Sequence, residues 1–151
     1  MRKLKVSYLP HPILSVEERH QYLPEILLTE FDTSIFNRSK DALSQLDGKE
    51  VIVDLGGNIE PELVDVAAKA GIKYIQVQTN GLDHVEVERI IENEMILAHC
   101  PGHLSSVSLA EGAMMFILML AHDYGNATDQ FYAGNVFSAN GLEVEGRTLT
   151  I

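Results

Sequence analysis

Two loops of the sequence combine glycines with polar side chains directly after short apolar runs. Gly56 and Gly57 stand between the apolar run 51–55 and a helix-like stretch, so their backbone N–H groups are free to approach an anion at the positive end of that helix. Taken alone, the glycine pair is more typical of a tight turn. The second loop joins a flexible glycine to hydrogen-bonding side chains, namely Gln78, Thr79, Asn80 and Gly81. Together the two loops favour a site for a small ligand.

Other residues of reactive type lack the spacing that their chemistry needs. Asp83 stands where a helix cap is wanted, so we interpret it as a cap rather than a catalytic acid. His84 is interpreted as a surface or supporting residue of the same loop. His99, Cys100 and His103 match no common metal-site spacing, and we expect no metal there. No Ser-His-Asp order or nucleophile elbow is present, so no residue of the chain is assigned a catalytic role.

The elements that would position these loops alternate regularly along the chain. Short apolar runs predict strands, and helical stripes separate them, which is typical of right-handed crossovers and a parallel sheet covered on both faces. With about five strands, the flavodoxin-like doubly wound order 2-1-3-4-5 fits best, and ligands bind such sheets at the carboxyl ends of the strands. The predicted strands are 3–10, 31–36, 51–55, 74–77 and 95–98.

Helix signals in the first hundred residues are of three kinds. Ser15 and Glu18 have the spacing of a capping box and predict a helix to about Leu28, in which Pro24 either kinks the helix or starts a second piece. A second helix has Pro61 at its first turn and is closed by a glycine. A third is capped by Asp83 and carries an apolar side.

After Pro101 and Gly102 the character of the sequence changes. A second capping box, Ser108 to Glu111, predicts a helix over residues 108–124 that is apolar on most of its circumference. Such a helix needs cover that one sheet face does not give, so either a partner subunit or a missing domain packs on it, and the partner is favoured. Residues 147–151 predict the start of another strand.

Composition limits the class of protein. The chain has 151 residues, enough for one main core, and a net charge of −11 that repels nucleic acid and anionic lipid surfaces. Its longest apolar stretch, 113–121, is much shorter than the roughly 20 residues of a spanning helix, so we expect no membrane association. The single Cys100 is compatible with a reducing cytoplasm, and the expected location is cytoplasmic.

Three segments resemble the D-2-hydroxyacid dehydrogenase family, in the family's own order and spacing. The stretch 73–85 resembles the strand that enters a Gly-x-Asp-His or Gly-x-Asp-Asn turn. The stretch 98–111 is similar to a Pro-Gly hinge followed by Val-Ala-Glu and a long apolar helix. The stretch 146–151 resembles the Gly-Lys-Thr-Leu-Gly-Ile strand that leads into a dinucleotide-binding glycine loop.

The resemblance implies hydride transfer between NAD or NADP and a 2-hydroxy or 2-oxo acid. It implies a substrate domain over residues 1–104, and over 105–151 a dimerisation helix arm with the first strand of a truncated NAD-binding domain. Gly56 and Gly57 would hold the substrate carboxylate, Val107 and Ser108 would touch the cofactor, and the helix 108–124 would form a homodimer. The opposite wall would come from Gln78, Thr79, Asn80 and Gly81.

The resemblance also implies what the chain lacks. In the family, the Gly-x-Gly-x-x-Gly loop and the catalytic Arg, Glu and His follow the point at which Ile151 stands, so the isolated chain is expected to be inactive and to bind no cofactor tightly. One rival reading is a non-catalytic dimeric interaction module derived from the family. Another is a receiver-like phosphoacceptor, which would need clustered acids where only Asp54 is placed.

Overall fold

The computed structural model describes residues 2–56, 59–136 and 140–150. The chain divides into two compact units, Met1–Pro101 and Gly102–Ile151. Within the described ranges no single helix is long and apolar enough to cross a membrane, although Ser106–Ala121 and Tyr124–Tyr132, bent by 62° at their junction, together have the necessary length and composition.

The first unit is built on one parallel sheet, as the sequence predicts. Its five strands lie in the order β2-β1-β3-β4-β5, which confirms the flavodoxin-like order. Because every neighbouring pair is parallel, the strands' carboxyl ends meet at one edge of the sheet. The strands are β1 (Lys5–Leu9), β2 (Asp32–Ile35), β3 (Val51–Asp54), β4 (Tyr74–Val77) and β5 (Ile96–His99).

Helices link the strands of this unit, and two of the helix signals hold. Pro61 occupies the first turn of its helix, and Gly71 follows the helix end with a positive φ of 83°. A helix that the sequence analysis did not predict begins after Asp41, whose carboxylate accepts a hydrogen bond from the Ser44 backbone N–H at 2.7 Å. The helices are α1 (Leu14–Arg19), α2 (Tyr22–Glu30), α3 (Ala42–Leu46), α4 (Pro61–Lys69) and α5 (Val87–Glu92).

The two side-chain caps predicted for this unit are wrong. The Ser15 capping box does not form, because α1 begins one residue earlier behind Ile13 and no side chain caps it. The helix is interrupted at His20 and Gln21, and Pro24 lies in the first turn of a second helix, where its missing N–H costs nothing; of the two alternatives for Pro24, the start of a second piece is confirmed. Asp83 lies in a turn and does not cap α5, which begins only at Val87.

Two apolar layers cover the sheet. The larger packs α3, α4 and α5 on one face around buried residues that include Leu9, Ile52 and Ile75. The smaller packs α2 on the other face around Val6 and Tyr8, and each large side chain buried in this way contributes roughly 1.5–3 kcal/mol. In β1, Val6 and Tyr8 pack in the smaller layer and Leu9 packs in the larger one. This alternation fixes which face of the sheet each side chain of β1 lies on.

The second unit is helical, with a 3₁₀ turn at Gly102–Leu104, α6 at Ser106–Ala121 and α7 at Tyr124–Tyr132. The capping box at Ser108 is wrong, because α6 already begins at Ser106 and the side chain of its N-cap residue, Ser105, makes no capping hydrogen bond to the helix. The long helix ends at Ala121, three residues earlier than predicted, and α7, which follows Asp123 with its left-handed φ of 46°, was not predicted. Residues 147–150 form no strand, and Ile151 lies outside the described residues. None of the described residues from 102 to 150 is buried.

Candidate functional site

A cavity of about 370 Å³ lies at the edge of the sheet where the strands end. It is bordered by residues that lie one or two positions after β1, β3, β4 and β5, and by residues of α1, of α2 and of the break between these helices. Its size is within the range of small-molecule sites, roughly 300–1,000 Å³. The lining residues are His11, Val16, His20, Tyr22, Leu23, Leu55, Gln78, Thr79 and Cys100.

The loop after β4 supplies two of the predicted site residues to this cavity. The Gln78 backbone N–H donates to the Asp54 carbonyl at 2.9 Å, and the Thr79 carbonyl accepts from the Cys100 N–H at 3.2 Å. The loop is therefore held to both neighbouring strands. The Cys100 Sγ–H donates to the Gln78 Oε1 at 3.3 Å, which leaves the Gln78 amide N–H₂ able to donate to a ligand.

Gly56 lies two residues after β3, beside the same cavity, and the structure explains why a glycine stands there. Its φ is 102°, and an added Cβ would lie 2.6 Å from the Thr79 Cγ2. Its N–H donates at 2.8 Å to the carboxylate of the fully buried Asp54. A ligand carboxylate at this amide would therefore compete with Asp54. Gly57 lies outside the described residues.

The remaining predicted site residues are placed elsewhere. Asn80 and Gly81 are exposed and do not line the cavity, although the Gly81 carbonyl accepts the Thr79 hydroxyl at 2.8 Å and so orients it. Val107 and Ser108 lie in the first turn of α6, in the second unit, and both are exposed. The structure thus brings together Gly56, Gln78 and Thr79 from the predicted set.

Several cavity residues were missed by the sequence analysis. His11 follows the apolar run of β1 and its Pro10, and this position at a strand's carboxyl end is a signal that could have identified it. His20 and Tyr22 lie at the break between α1 and α2, with ring centroids 6.0 Å apart. Pro24 signalled a possible break in the predicted helix, but it did not mark the position of the break or place these two side chains in the site.

A partly buried hydrogen-bond network supports the cavity wall. The Tyr8 hydroxyl donates to the Glu17 carboxylate, whose oxygens lie 3.0 and 3.1 Å away, and the same carboxylate accepts from the His11 backbone N–H at 2.9 Å. Burial, together with the neighbouring Glu17 carboxylate, raises the pKa of the Tyr8 hydroxyl well above its ordinary range. Glu17 therefore links α1 to β1 and fixes the loop that carries His11.

The described residues contain no group of three His, Cys, Asp or Glu side chains placed to hold a metal ion. Asp54, the candidate phosphoacceptor, is fully buried and its carboxylate accepts the Gly56 N–H. A phosphoryl donor would have no access to it, which disfavours the receiver-like alternative.

The fold is similar to those of solved 2-hydroxyacid dehydrogenases and reductases. An NADPH-dependent glyoxylate/hydroxypyruvate reductase from Sinorhizobium meliloti in complex with citrate superposes with a TM-score of 0.74 at 20% identity, over 98% of this chain and 45% of that one. A glyoxylate reductase from Paecilomyes thermophila superposes with a TM-score of 0.73 at 18% identity, over 97% of this chain and 47% of that one. The D-lactate dehydrogenase of Aquifex aeolicus, complexed with NAD and lactic acid, superposes with a TM-score of 0.69 at 22% identity, over 90% of this chain and 39% of that one.

At these identities the likeness shows that this chain shares their fold. The chain spans less than half the length of each of these three structures. No protein-family model matches the sequence, and no curated protein is similar to it in sequence.

Proposed function

We propose that this chain is the substrate-binding portion of an NAD(P)-dependent D-2-hydroxyacid dehydrogenase. The observation that carries the proposal is the cavity at the carboxyl ends of the strands, with Gln78 and Thr79 in its wall and Gly56 beside it. It occupies the position at which doubly wound sheets bind ligands. The motifs at 73–85 and 98–111 and the shared fold support the same family.

In this role the chain binds and orients a 2-hydroxy or 2-oxo acid. The Gln78 amide donates to a substrate oxygen, and the backbone N–H groups of Gly56 and Gly57 hold the carboxylate. For this to happen, the Gly56 N–H exchanges its hydrogen bond with the Asp54 carboxylate for one with the substrate. Asn80 and Gly81 shape the loop around Thr79. Nicotinamide supplies or accepts the hydride when it is bound. The exposed first turn of α6 leaves Val107 and Ser108 accessible to that cofactor.

The 151-residue chain by itself is expected to bind the acid weakly and to turn nothing over. We expect millimolar D-lactate to shift the backbone resonances of Gln78 and Thr79 in an NMR titration. Gln78→Leu should weaken binding about fivefold, because one hydrogen bond is lost. Gln76→Leu is the matched control, since Gln76 lies two residues earlier and outside this cavity.

Two results would contradict the proposal. One is a titration in which lactate leaves the Gln78 and Thr79 resonances unmoved. The other is turnover of glyoxylate, pyruvate or hydroxypyruvate with NADH by the isolated chain. Turnover would mean that these 151 residues include the group that transfers the proton, whereas the proposal assigns them substrate binding only.

We also propose that α6 forms a homodimer. Its apolar side chains are largely exposed, with Leu109 at 76% and Leu120 at 82%, and an apolar surface of this kind is typical of an interaction site. The same exposed helix favours the alternative function, a non-catalytic dimeric interaction module. The lactate titration separates the two, because an interaction module has no reason to bind a 2-hydroxy acid beside Gln78.

A further inference from the structure

The two histidines of the cavity have opposite hydrogen-bonding polarity. The His11 Nδ1 accepts a hydrogen bond from the Ile13 backbone N–H at 3.0 Å, so in the neutral ring the proton is on Nε2. The His20 Nδ1 lies 2.8 Å from the Val16 carbonyl, which only accepts, so this Nδ1 carries the proton and its Nε2 has a lone pair. Both side chains line the same cavity.

The other polar groups of the cavity have their roles assigned in the same way. The Thr79 hydroxyl donates to the Gly81 carbonyl at 2.8 Å, and its oxygen also lies 3.5 Å from the His84 Nε2, so its partners are within its own loop. The Gln78 oxygen accepts from Cys100, which leaves the Gln78 amide as a donor. A ligand therefore meets donors at His11 and Gln78 and an acceptor at His20. Neither histidine Nε2 has a hydrogen-bond partner within residues 2–56 and 59–136.

This pattern selects among 2-oxo acids. A carboxylate and a ketone only accept hydrogen bonds, and they satisfy His11 and Gln78. They leave the His20 lone pair without a donor, and a polar atom that loses its water and gains no partner disfavours binding. The reacting oxygen itself changes between acceptor and donor as the substrate is reduced. Only a hydroxyl elsewhere on the substrate can donate to His20 in both redox states.

We propose that this cavity, which by the proposed function binds a 2-oxo or 2-hydroxy acid, selects acids with an additional hydroxyl next to the reacting carbon, and that His20 reads this hydroxyl. The His11 Nε2–H has the opposite role, because it donates a hydrogen bond to a ligand oxygen. His20 is thus a specificity-determining residue and takes no part in the hydride or proton transfer.

The positions of the ring protons of His11 and His20 are tested first, without a ligand. Ring ¹⁵N chemical shifts of the 151-residue chain distinguish the two neutral tautomers of each histidine. We expect the Nε2–H form for His11 and the Nδ1–H form for His20. The same tautomer in both rings would overturn the inference, since the donor and acceptor pair would not exist.

Selectivity is tested with hydroxypyruvate and pyruvate, which differ by the one hydroxyl in question. In NMR titrations that follow Gln78 and Thr79, hydroxypyruvate should bind about fivefold more tightly than pyruvate. His20→Phe keeps a ring against Tyr22 but removes the lone pair, so the ratio should fall to about one, with pyruvate binding more tightly because it no longer leaves that lone pair without a donor. His103→Phe, in the exposed 3₁₀ turn of the second unit, should leave the ratio as it is.

The outcomes separate this inference from the proposed function. Equal affinities for the two acids in the unsubstituted chain, or a preference that survives His20→Phe, would overturn the inference while the proposed function stands. If neither acid moves the Gln78 and Thr79 resonances, both fall. The comparison of the two acids needs no variant, so it remains decisive even if His20→Phe fails to fold.

Discussion

Gly56 is the residue where backbone conformation and side-chain packing constrain the site together. Its positive φ of 102° is unfavourable for any residue with a Cβ, and that Cβ would collide with Thr79 at 2.6 Å. Gly81, in the neighbouring loop, has neither constraint, since its added Cβ would meet Asp83 at an ordinary 3.6 Å. Two glycines of one candidate site therefore differ in what they tolerate.

We expect Gly56→Ala to lower the free energy of unfolding by about 2 kcal/mol, because it combines a left-handed backbone with a steric contact. Gly81→Ala should change it by less than about 0.5 kcal/mol. Urea denaturation followed by circular dichroism measures both. Equal effects of the two substitutions would show that the close approach of Thr79 does not constrain Gly56.

Tyr8 makes stability depend on alkaline pH. Burial and the Glu17 carboxylate raise the pKa of its hydroxyl above the ordinary 10.0. Above pH 10 the unfolded chain therefore loses this proton while the folded chain keeps it, so the contribution of Tyr8 is complete below pH 10 and is lost as the pH rises towards the folded-state pKa. We expect a part of the tyrosinate absorbance at 295 nm to appear only on unfolding, and Tyr8→Phe to remove that part. A wild-type titration of the same shape as that of Tyr8→Phe would contradict this.

Sequence reasoning predicted part of the site at the residue scale and missed the rest for a physical reason. Gln78 and Thr79 follow a recognisable strand, so their place at the sheet edge could be inferred. His11 was identifiable by the same rule. His20 was not, because its place in the cavity depends on where the two helices separate, and Pro24 indicated a possible second helix without fixing that point.

Local helix signals were reliable only where backbone chemistry left no alternative. Pro61 and Gly71 mark a helix start and a helix end, since a missing N–H and a positive φ are difficult to place elsewhere. Both capping boxes failed, because a Ser and a Glu three residues apart are also compatible with the interior of a helix. Strand order was predictable throughout, since short connections leave few topologies open.

An ion pair joins α4 to α5 on the surface of the first unit. The Arg89 guanidinium donates to both Asp65 oxygens at 2.8 Å, and these bonds hold the pKa of the Asp65 carboxyl below its ordinary 3.8. The contribution to stability is present above pH 3.8 and is lost as the pH falls through the lower, folded-state pKa. Since both side chains are partly exposed, the contribution is small.

We expect Asp65→Asn to lower the melting temperature slightly at neutral pH and to have no effect once the pH is well below 3.8. Glu88→Gln removes a charge from the same helix pair without removing an ion pair of the described residues, and is the control. Thermal melts of both variants across this pH range measure the effect. If Asp65→Asn lowers the melting temperature by the same amount in acid as at neutral pH, the geometry of the pair, and not its charge, stabilises the two helices.

At the scale of the whole molecule, the two units differ in how they are stabilised. Every buried residue of the described chain belongs to the first unit, which has apolar layers on both faces of its sheet. The second unit has a 16-residue helix, α6, with no buried residue. Helices in proteins gain most of their stability from packing an apolar face, so we expect an association to stabilise α6.

We therefore expect amide hydrogen exchange to separate the units. Amides of β3 and β4 should exchange slowly at any protein concentration, whereas those of α6 should become protected only as the concentration rises, because a second copy then covers the helix. Leu120→Lys should abolish this dependence, since it places a charge on the apolar surface. Leu28→Lys, at a half-exposed position of α2 in the first unit, should leave it intact. Fast exchange of α6 at every concentration would instead mean that its cover is a domain and not a second copy of the chain.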